Sequence, residues 1–444
     1  MKFIIISDVG DGFSMAQRLS AEGNDVTFFN FEKGIDEDGQ GFKFKRLNKR
    51  KNSLEGLIRR NKDAIFIFDG SEHGKKQDEM RRAGYKVIGS SSLGDMIEKD
   101  RMEGIKLCKD LKIKTPETIE IDSLDNAIEY IRKNPDKYII KQTGDLYKGL
   151  NSKAYKDDSS DLAEYLINLN SGSEKYESKF VLQKMIKGYE VAVCGLFQGT
   201  DWARDKDGNI ILEINYENKN LLCGGRGTST GELGTLVRFK AGENEIFKKT
   251  LKPLTPKLRA INHYGCVDAN CGLTDEGEIY VYEHTIRFGY PVTDIYIELC
   301  KTDFGQMLSD WANNKPLSFN YDNWGCVLLL AFPMYPYETK GNEECSFKGE
   351  IIDVSELTEA EENQVHLYYI SKKNIKGIGE RYIISSDSGY ALTVTEQDKD
   401  FNKANDKAVN IIKKIIPSAE GFYRDDIAEA CKKRISKTKE ITGL

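Results

Sequence analysis

The sequence has 444 residues, of which 39% are hydrophobic and 31% are charged, and its formal net charge is −6. This composition is typical of a globular protein with roughly two to four domains, and it argues against a disordered or fibrous chain. The 65 Lys and Arg residues are balanced by 71 Asp and Glu residues. Because neither half of the chain is strongly basic, we do not expect nucleic acid as the main partner.

Cysteine usage and apolar runs bear on the compartment. The nine cysteines form no CxxC pair, and only four histidines accompany them. Free thiols in a reducing compartment explain this pattern, and a zinc site is not expected. The start, MKFIIIS, turns polar too soon for a signal peptide, and no apolar run approaches the ~20 residues of a membrane helix. We expect a cytoplasmic protein without membrane contact, as a monomer or small homo-oligomer.

The N-terminal stretch has the pattern of a doubly wound parallel sheet. An apolar strand from Lys2 to Ser7 precedes a glycine turn, a helix from about Phe13 to Glu22 and a strand from Asp25 to Asn30. Gly10 and Gly12 in that turn are candidates for offering backbone N–H groups to a phosphate. An ordinary tight turn is the alternative interpretation.

A further strand, Ala64 to Phe68, is followed by a loop that contains Gly70 and Glu72. Ligands of open α/β sheets bind at the carboxyl ends of the strands, so this loop and the first glycine turn are predicted to face one site. We place the end of this first domain at residue 92.

The segment from about 115 to 188 reads as a small α+β lid. Its strand Lys137 to Lys141 leads into a glycine-containing loop with Lys148 and Gly149, a combination suited to polyphosphate. The alternative is that Lys141 and Lys148 are ordinary surface lysines.

A glycine-rich stretch from Leu221 to Gly234 follows a strand at Asn209 to Asn215. We expect it to be a loop whose backbone approaches a ligand, with a flexible linker as the alternative. Arg226, Thr230 and Gly231 within it are the candidate ligand-binding residues.

The stretch from Gly265 to Pro291 is predicted to be a β-hairpin that carries chemistry. Val267 to Leu273 and Glu278 to Glu283 are strand-like, and Asp275-Glu276-Gly277 supplies the turn. If these strands pair directly, Asp268 and Glu283 face one another, and two adjacent carboxylates require a cation such as Mg²⁺. Arg287 lies beyond the second strand, placed to meet a transferring phosphoryl group. The alternative is a solvated hairpin with ordinary surface acids.

From residue 325 the chain changes to short strands followed by two helices. The predicted division is 1–92, 93–324 with its lid at about 115–188, and a small mixed domain at 325–444. The predicted fold class is therefore α/β and α+β multidomain.

Several ordered motifs resemble the ATP-grasp ligases, and in particular the phosphoribosylamine–glycine ligase family. The motifs that carry the resemblance are Ile140-Lys141 with Lys148-Gly149, Val181 to Met185, Gly188-x-Glu190, Thr230-Gly231-Glu232-Leu233-Gly234, Arg287-Phe288-Gly289-x-Pro291 and Phe422 to Ile427. The Arg-Phe-Gly segment and the C-terminal segment are the most specific of these. The resemblance covers nearly the whole length and implies an ATP-grasp core with a mobile lid.

The resemblance also implies roles for individual residues. It assigns ATP contacts to Arg101, Lys141, Lys148, Gly149, Gln183, Met185 and Glu190, and substrate contacts to Gly10, Gly12, Gly70, Glu72, Arg226, Thr230 and Gly231. It assigns Mg²⁺ or Mn²⁺ to Glu283 and Thr285 and a catalytic role to Arg287, and the hairpin pattern adds Asp268 as a further metal ligand. The implied reaction joins glycine to 5-phosphoribosylamine with ATP, giving glycinamide ribonucleotide, ADP and phosphate in purine biosynthesis. The same chemistry on another amine and amino acid, or nucleotide binding without turnover, are the alternatives.

Three departures from the family pattern stand out. The opening loop, Asp8 to Ser14, lacks the family's Arg and His. Thr285 replaces the Asn of a Glu-x-Asn metal motif, and Tyr290 replaces an Asp. We expect Asp268 to compensate for the altered metal position, and we expect the acceptor pocket to differ from the family's.

Overall fold

The computed structural model describes residues 1–31, 39–49, 51–142, 151–171, 179–333, 335–336, 347–386, 388–417 and 421–444. Within these ranges, no helix combines the length and the apolarity that crossing a membrane requires. The eight cysteines in these ranges all carry free thiols.

The N-terminal part is a five-stranded parallel sheet. Its elements are β1 (Lys2–Ser7), α1 (Phe13–Ala21), β2 (Asp25–Asn30), β3 (Lys45–Asn48), α2 (Leu54–Arg60), β4 (Ile65–Phe68), α3 (Gly74–Arg82), β5 (Lys86–Ile88) and α4 (Ser92–Lys99). The strand order is β3-β2-β1-β4-β5. The central strands β1 and β4 are apolar on both faces because helices cover both sides of such a sheet, whereas the edge strand β3 is mostly polar. The predicted doubly wound sheet is confirmed.

A four-stranded antiparallel sheet with two helices follows. Helix α5 (Arg101–Asp110) precedes it, and its own elements are β6 (Thr118–Ile121), α6 (Leu124–Lys133), β7 (Tyr138–Gln142), β8 (Asn151–Lys153), α7 (Ser160–Asn170) and β9 (Phe180–Lys184), with strand order β6-β9-β7-β8. This unit has a hydrophobic cluster of its own, which includes Ile131, Ile140 and Leu182. Helices α4 and α5 are separate, because the Asp100 carboxylate accepts from the N–H groups of Met102 and Glu103 and starts α5.

The central part of the chain supplies most of the largest sheet. Its elements are β10 (Tyr189–Gln198), β11 (Asp201–Trp202), β12 (Ile211–Leu222), β13 (Arg226–Ala241), α8 (Glu245–Thr250), α9 (Thr255–Ala260), β14 (Tyr264–Leu273), β15 (Ile279–Thr285), α10 (Val292–Leu299), α11 (Phe304–Ala312) and β16 (Trp324–Ala331).

The C-terminal part adds short strands and two long helices. Its elements are β17 (Ile351–Asp353), α12 (Glu359–Glu362), β18 (Val365–Leu367), β19 (Ile370–Ile375), β20 (Gly379–Ile384), β21 (Tyr390–Asp398), α13 (Phe401–Ile412), β22 (Ile416–Pro417) and α14 (Ile427–Thr442). Strands β19-β20-β17-β22 form a separate small sheet.

The largest sheet runs in the order β15-β14-β10-β12-β13-β16-β21-β18, with β11 paired to β10. Residue 325 therefore lies inside a strand of this sheet, since β16 pairs with both β13 and β21. The division at 92 and 324 stays a prediction, and the sheet itself is continuous across the second of these points.

The glycine-rich stretch is mostly strand, so the prediction of a loop from Leu221 to Gly234 is wrong. A short 3₁₀ turn at Cys223–Gly225 connects β12 to β13, and Arg226 pairs back onto Leu222. Pairing continues through Ser229 with Asn220, past two register irregularities. The ladder satisfies the backbone polar groups here, which outweighs the cost of glycine in a strand.

Candidate active site

The hairpin β14–β15 forms with a register that the alternation of residues did not predict. Asp268 pairs with Thr285, and Asn270 pairs with Glu283. The prediction that Asp268 and Glu283 face one another is therefore wrong. On the turn side of the hairpin Leu273 pairs with Ile279, and a register shift between Asn270 and Cys271 moves the β15 partner of each β14 residue beyond it by one further position. The turn forms as predicted, with the Gly277 N–H donating to the Thr274 carbonyl at 3.0 Å.

Two cavities meet at the end of β15. The first, of about 290 Å³, lies between α4, α5, the strands β7 and β9 and the strand β15. The second, of about 190 Å³, lies over β12, β13 and β14. Glu283, Thr285 and Arg287 line both cavities. A reaction between a group in one cavity and a group in the other would occur beside these three side chains.

Cations dominate the polar lining of the first cavity. Arg101 Nη1 lies 3.2 Å from Glu283 Oε2, and Lys141 Nζ lies 3.5 Å from the Gln183 Oε1 that accepts from it. Burial lowers the pKa of the Lys141 ammonium, and the Glu283 carboxylate opposes that shift. Gln183 is fixed in turn because its Nε2 donates to Thr118 Oγ1 at 3.1 Å. This cavity suits an anionic ligand such as a polyphosphate.

Lys219 links three carboxylates at the boundary between the cavities. Its Nζ lies 3.1 Å from Glu217 Oε2, 3.7 Å from Glu190 Oε1 and 3.8 Å from Glu283 Oε1. Burial disfavours its charge, but these carboxylates outweigh burial and raise its pKa. Burial likewise opposes ionisation of Glu283, and Lys219, Lys141 and Arg101 outweigh it and lower the Glu283 pKa to about 2. Glu283 is therefore ionised at neutral pH.

Acids dominate the second cavity. Its acidic lining residues are Glu213, Glu217, Glu232, Asp268 and Glu283, against the two bases Lys219 and Arg287. The Glu213 carboxylate accepts from Tyr296 Oη and from Asn215 Nδ2, and burial raises its pKa to about 7. Burial and the Glu217 charge raise the pKa of Asp268. A cavity of this kind attracts cations.

The oxygen donors at the hairpin fit a divalent cation. Asp268 Oδ2 is shielded from solvent and has no hydrogen-bond partner within the described residues. Its ladder partner Thr285 offers a hydroxyl, and the neighbouring ladder pair offers the Asn270 amide and the Glu283 carboxylate. All four residues line the second cavity. Hard oxygen ligands of this type are the ones that Mg²⁺ and Mn²⁺ prefer.

A family model and known relatives match this architecture. The model described as "Phosphoribosylglycinamide synthetase, ATP-grasp (A) domain" matches residues 103–293. Residues 103–293 are therefore similar to an ATP-grasp domain. The phosphoribosylamine–glycine ligase of Caldanaerobacter subterraneus subsp. tengcongensis is 25% identical over 363 residues, which cover 79% of this chain and 80% of that protein. The resemblance to ATP-grasp proteins that the sequence indicated is confirmed.

Solved structures share the fold over most of their length. A phosphoribosylamine–glycine ligase from Thermotoga maritima superposes with a TM-score of 0.69 at 18% identity, covering 96% of this chain and 100% of that one. An L-amino acid ligase from Bacillus licheniformis superposes with a TM-score of 0.56 at 15% identity, covering 95% and 99%. At these identities the likeness shows the fold, and it confirms the predicted ATP-grasp architecture.

The structure brings part of the predicted nucleotide set together. Arg101, Lys141 and Gln183 line the first cavity of the ATP-grasp domain. Glu190 is connected to it through Lys219, whereas the Met185 N–H already donates to the Lys137 carbonyl at 2.7 Å, outside the lining of both cavities. Lys148 and Gly149 lie outside the described residues.

In the predicted phosphate-binding turn, the backbone N–H groups of Gly10 and Gly12 already donate to acceptors within the protein. The Gly12 N–H donates to Asp69 Oδ2 at 2.6 Å, and the Gly10 N–H donates to Ser7 Oγ at 2.8 Å. Gly10 has φ of +92°, and a side chain there would meet the ring of Tyr369. These two N–H groups are therefore not free for a phosphate in this conformation, and the substrate role of Gly10 and Gly12 stays a prediction.

The remaining predicted substrate residues fall into two groups, one at or next to the second cavity and one away from both cavities. Gly231 lines the second cavity, and Thr230 donates its hydroxyl to the Lys219 carbonyl at 2.8 Å, which holds the strand that carries Lys219. Arg226 is exposed at the end of β13, outside the lining of both cavities. Gly70 lies against the Asp8 carboxylate, and Glu72 is paired with Lys99 at 2.8 Å, away from both cavities. The substrate roles of Arg226, Gly70 and Glu72 therefore stay predictions, and this geometry places all three outside the lining of the two cavities.

Sequence reasoning missed the polar stripe on β12. Glu213, Asn215, Glu217 and Lys219 all line the second cavity. They occupy alternate positions of one strand, so they share a face. Four polar residues at period two, alternating at first with the buried residues Leu212, Ile214 and Tyr216, were the available signal.

Proposed function

We propose that the protein is an ATP-dependent ligase that joins a carboxylic acid to an amine through an acyl phosphate. The observation that carries this proposal is the boundary shared by the two cavities, where Glu283, Thr285 and Arg287 face a cation-lined space and an acid-lined space together. A carboxylate oxygen attacks the γ-phosphorus of ATP, and the bond to the β-phosphate oxygen breaks. The amine then attacks the acyl carbon, the bond to the phosphate oxygen breaks, and the amine loses a proton.

The chain's own side chains supply the electrostatics of the first step. Arg101 and Lys141 offset the charge of the polyphosphate, and Arg287 lies where the γ-phosphoryl group must pass between the cavities. Arg287 is held by the Glu98 carboxylate, 2.8 Å from its Nε, and by its own donation from Nη1 to the Phe288 carbonyl. A fixed guanidinium needs little rearrangement at the moment of transfer.

Glu283, Asp268 and Thr285 would hold Mg²⁺, with the Asn270 amide as a further oxygen donor. When bound, the ion supplies charge neutralisation on the phosphates. Thr285 is the position where the sequence pattern of the family has Asn, and Asn270 places an amide on the neighbouring strand instead.

The substrate pair that the relatives carry in their names is glycine and phosphoribosylamine, and it is the first pair to test. A second candidate is another amine and amino acid on the same machinery. It is favoured by the loop from Asp8 to Gly12, whose N–H groups at Gly10 and Gly12 are taken and whose side chains are acidic.

Transfer of oxygen from the acid to phosphate tests the chemistry directly. Glycine labelled with ¹⁸O in its carboxylate is incubated with ATP, Mg²⁺ and a phosphoribosylamine source, and the released phosphate is analysed by mass spectrometry. An acyl phosphate route places one ¹⁸O atom in each phosphate released. Unlabelled phosphate would contradict the route, and ATP binding without turnover on any acid and amine would favour a nucleotide-binding protein.

Arg287→Lys provides the matching variant. Lys lacks the planar fork of Arg, so we expect kcat to fall roughly 10²- to 10³-fold while ATP binding changes little. Arg259→Lys, at an exposed Arg that donates to the Thr200 carbonyl, is the control and should keep full activity. Full activity in Arg287→Lys would remove Arg287 from the transfer step.

A further inference from the structure

The second cavity contains a carboxylate without a partner. Glu232 is 6% exposed and lines this cavity, and its Oε1 has no hydrogen-bond partner within the described residues. Burial, together with the charge of Glu217, raises its pKa, and Lys219 only partly opposes this. A buried carboxylate oxygen left without a donor costs stability unless a ligand supplies the donor.

A row of tyrosines adjoins Glu232. The ring centroids of Tyr290 and Tyr368 are 6.4 Å apart, those of Tyr368 and Tyr390 are 4.9 Å apart, and those of Tyr390 and Tyr335 are 6.1 Å apart. Tyr335 Oη donates to the Glu232 carbonyl at 3.5 Å, which places this end of the row beside Glu232. Aromatic faces next to carboxylates bind organic cations.

Two of these hydroxyls are also unused. The hydroxyl oxygens of Tyr290 and Tyr390 are shielded from solvent and have no partner among the described residues. Tyr290 lines the second cavity, so at least one of them faces the space that Glu232 faces. Hydroxyl oxygens also accept hydrogen bonds from ammonium groups, although more weakly than carboxylates do.

The opposite end of the tyrosine row meets three acids, namely Asp11 of the N-terminal loop, Asp69 after β4 and Asp294 of α10. Burial is the largest cause that raises the pKa of the Tyr290 hydroxyl, and the charges of Asp69, Asp11 and Asp294 raise this pKa further. Asp69 is 1% exposed, and its Oδ1 has no partner within the described residues, while Asp11 is partly exposed. No Arg or Lys lies in the segment from Asp8 to Ser14, so nothing in this loop would pair with a phosphate.

We infer that the acceptor of this enzyme is an organic cation, a primary amine that carries a second positive charge and no phosphate, bound between Glu232 and the tyrosine row. This inference rests on the proposed ligase function and names the class of amine that the same site takes. The charged nitrogen pairs with Glu232, and the segment from Asp8 to Ser14 offers no basic side chain to a phosphate-bearing acceptor. Glu232 is a specificity residue in this scheme.

The acceptor step balances with the groups present. The neutral terminal nitrogen attacks the acyl carbon, the C–N bond forms, and the bond between the acyl carbon and the phosphate oxygen breaks, releasing phosphate. The nitrogen then gives one proton to water or to a neighbouring carboxylate. The second nitrogen of the acceptor keeps its proton and its contact with Glu232 throughout.

Matched amines test the class. With glycine, ATP and Mg²⁺, ADP release is measured with 1,4-diaminobutane, 4-amino-1-butanol, ethanolamine and O-phosphoethanolamine. We expect the diamine to have the highest kcat/KM, and the phosphate to abolish the activity that ethanolamine supports. O-phosphoethanolamine or phosphoribosylamine performing as well as the diamine would overturn the inference and leave the ligase function standing.

Variants at Glu232 locate the contact. In Glu232→Gln the KM for 1,4-diaminobutane should rise roughly 10- to 100-fold, with the KM for ATP unchanged, because one charge-assisted hydrogen bond is lost. Glu232→Asp should recover part of the loss, and Glu276→Gln, in the exposed hairpin turn, should behave as wild type. An unchanged KM for the diamine in a folded Glu232→Gln would overturn the inference.

Direct binding separates the two proposals if no amine supports turnover. Calorimetric titration of 1,4-diaminobutane into the wild-type protein and into Glu232→Gln then decides. Binding to the wild type that weakens at least about tenfold in the variant supports the cation site although the ligase function has failed. No binding to the wild type overturns the cation site as well.

Discussion

Asp268 lies directly across the β14–β15 ladder from Thr285, and not from Glu283. In the Glu-x-Asn pattern of the family, one strand supplies both a carboxylate and an amide. Here Thr285 stands at the Asn position, opposite Asp268. The Asp268 carboxylate and the Asn270 amide now reach the site from the neighbouring strand. The proposed metal site therefore depends on the register of the hairpin as much as on its residues.

The first prediction concerns this pair. Asp268→Asn should raise the Mg²⁺ concentration needed for half-maximal ADP release by roughly tenfold or more, because a hard anionic ligand is lost. Thr285→Asn should lower it, because an amide oxygen is a better ligand than a hydroxyl. Asp275→Asn, in the exposed turn, serves as the control. An unchanged Mg²⁺ requirement in Asp268→Asn would show that the residue is not a ligand.

The second prediction separates the two roles of Glu283. Its carboxylate is held by Arg101 and Lys219, so Glu283→Gln removes one negative charge from a cluster of cations. We expect Mg²⁺-dependent turnover to fall by roughly 100-fold or more, and metal-free binding of ATP to stay as tight or become tighter. Weaker metal-free ATP binding would mean that Glu283 positions the nucleotide. Turnover is followed by ADP release and binding by calorimetry.

The sequence predicted the elements well where local pattern determines them. The strand before the first glycine turn, the hairpin turn at Asp275 to Gly277 and the position of Arg287 at the exit of β15 all follow from residue alternation and turn chemistry. The ATP-grasp resemblance placed Arg101, Lys141 and Gln183 near one cavity.

Register and long-range charge were beyond the sequence. The shift between Asn270 and Cys271 depends on how two strands meet, and no local residue signals it. Lys219 owes its position to Glu190 and Glu283, which come from two other strands. Asp11 and Asp69 affect the Tyr290 hydroxyl only because the fold brings these residues together, which no local pattern indicates.

The third prediction concerns Lys219, which links Glu217, Glu190 and Glu283. Lys219→Gln leaves these carboxylates uncompensated in a partly buried place, so the free energy of unfolding should fall by about 1–3 kcal/mol at pH 7. The double variant Lys219→Gln/Glu217→Gln should recover a substantial part, as urea denaturation would show. Additive losses in the double variant would contradict the pairing. Lys206→Gln, at an exposed Lys, is the matched control.

The last prediction is a pH dependence of stability that comes from Asp69. Burial and the Asp11 charge raise its pKa from 3.8 to about 8 in the folded protein. The native state therefore keeps a proton that the unfolded chain has released above its lower pKa. The contribution of Asp69 to stability is present below pH ~4 and is lost as pH rises toward about 8, at up to about 1.4 kcal/mol per pH unit.

Asp69→Asn removes this titration and keeps an oxygen that accepts from the Gly12 N–H. The unfolding free energy of the variant minus that of the wild type should therefore increase from about pH 5 to about pH 8. Because the two proteins share their other titrating groups, most contributions of those groups cancel in this difference. Urea denaturation at both pH values measures it, with Asp63→Asn, at an exposed carboxylate, as the control. If the stability difference between variant and wild type is the same at both pH values, Asp69 is ionised in the folded protein across this pH range. A cation or a hydrogen-bond donor of the protein beside Asp69 would then account for its charge.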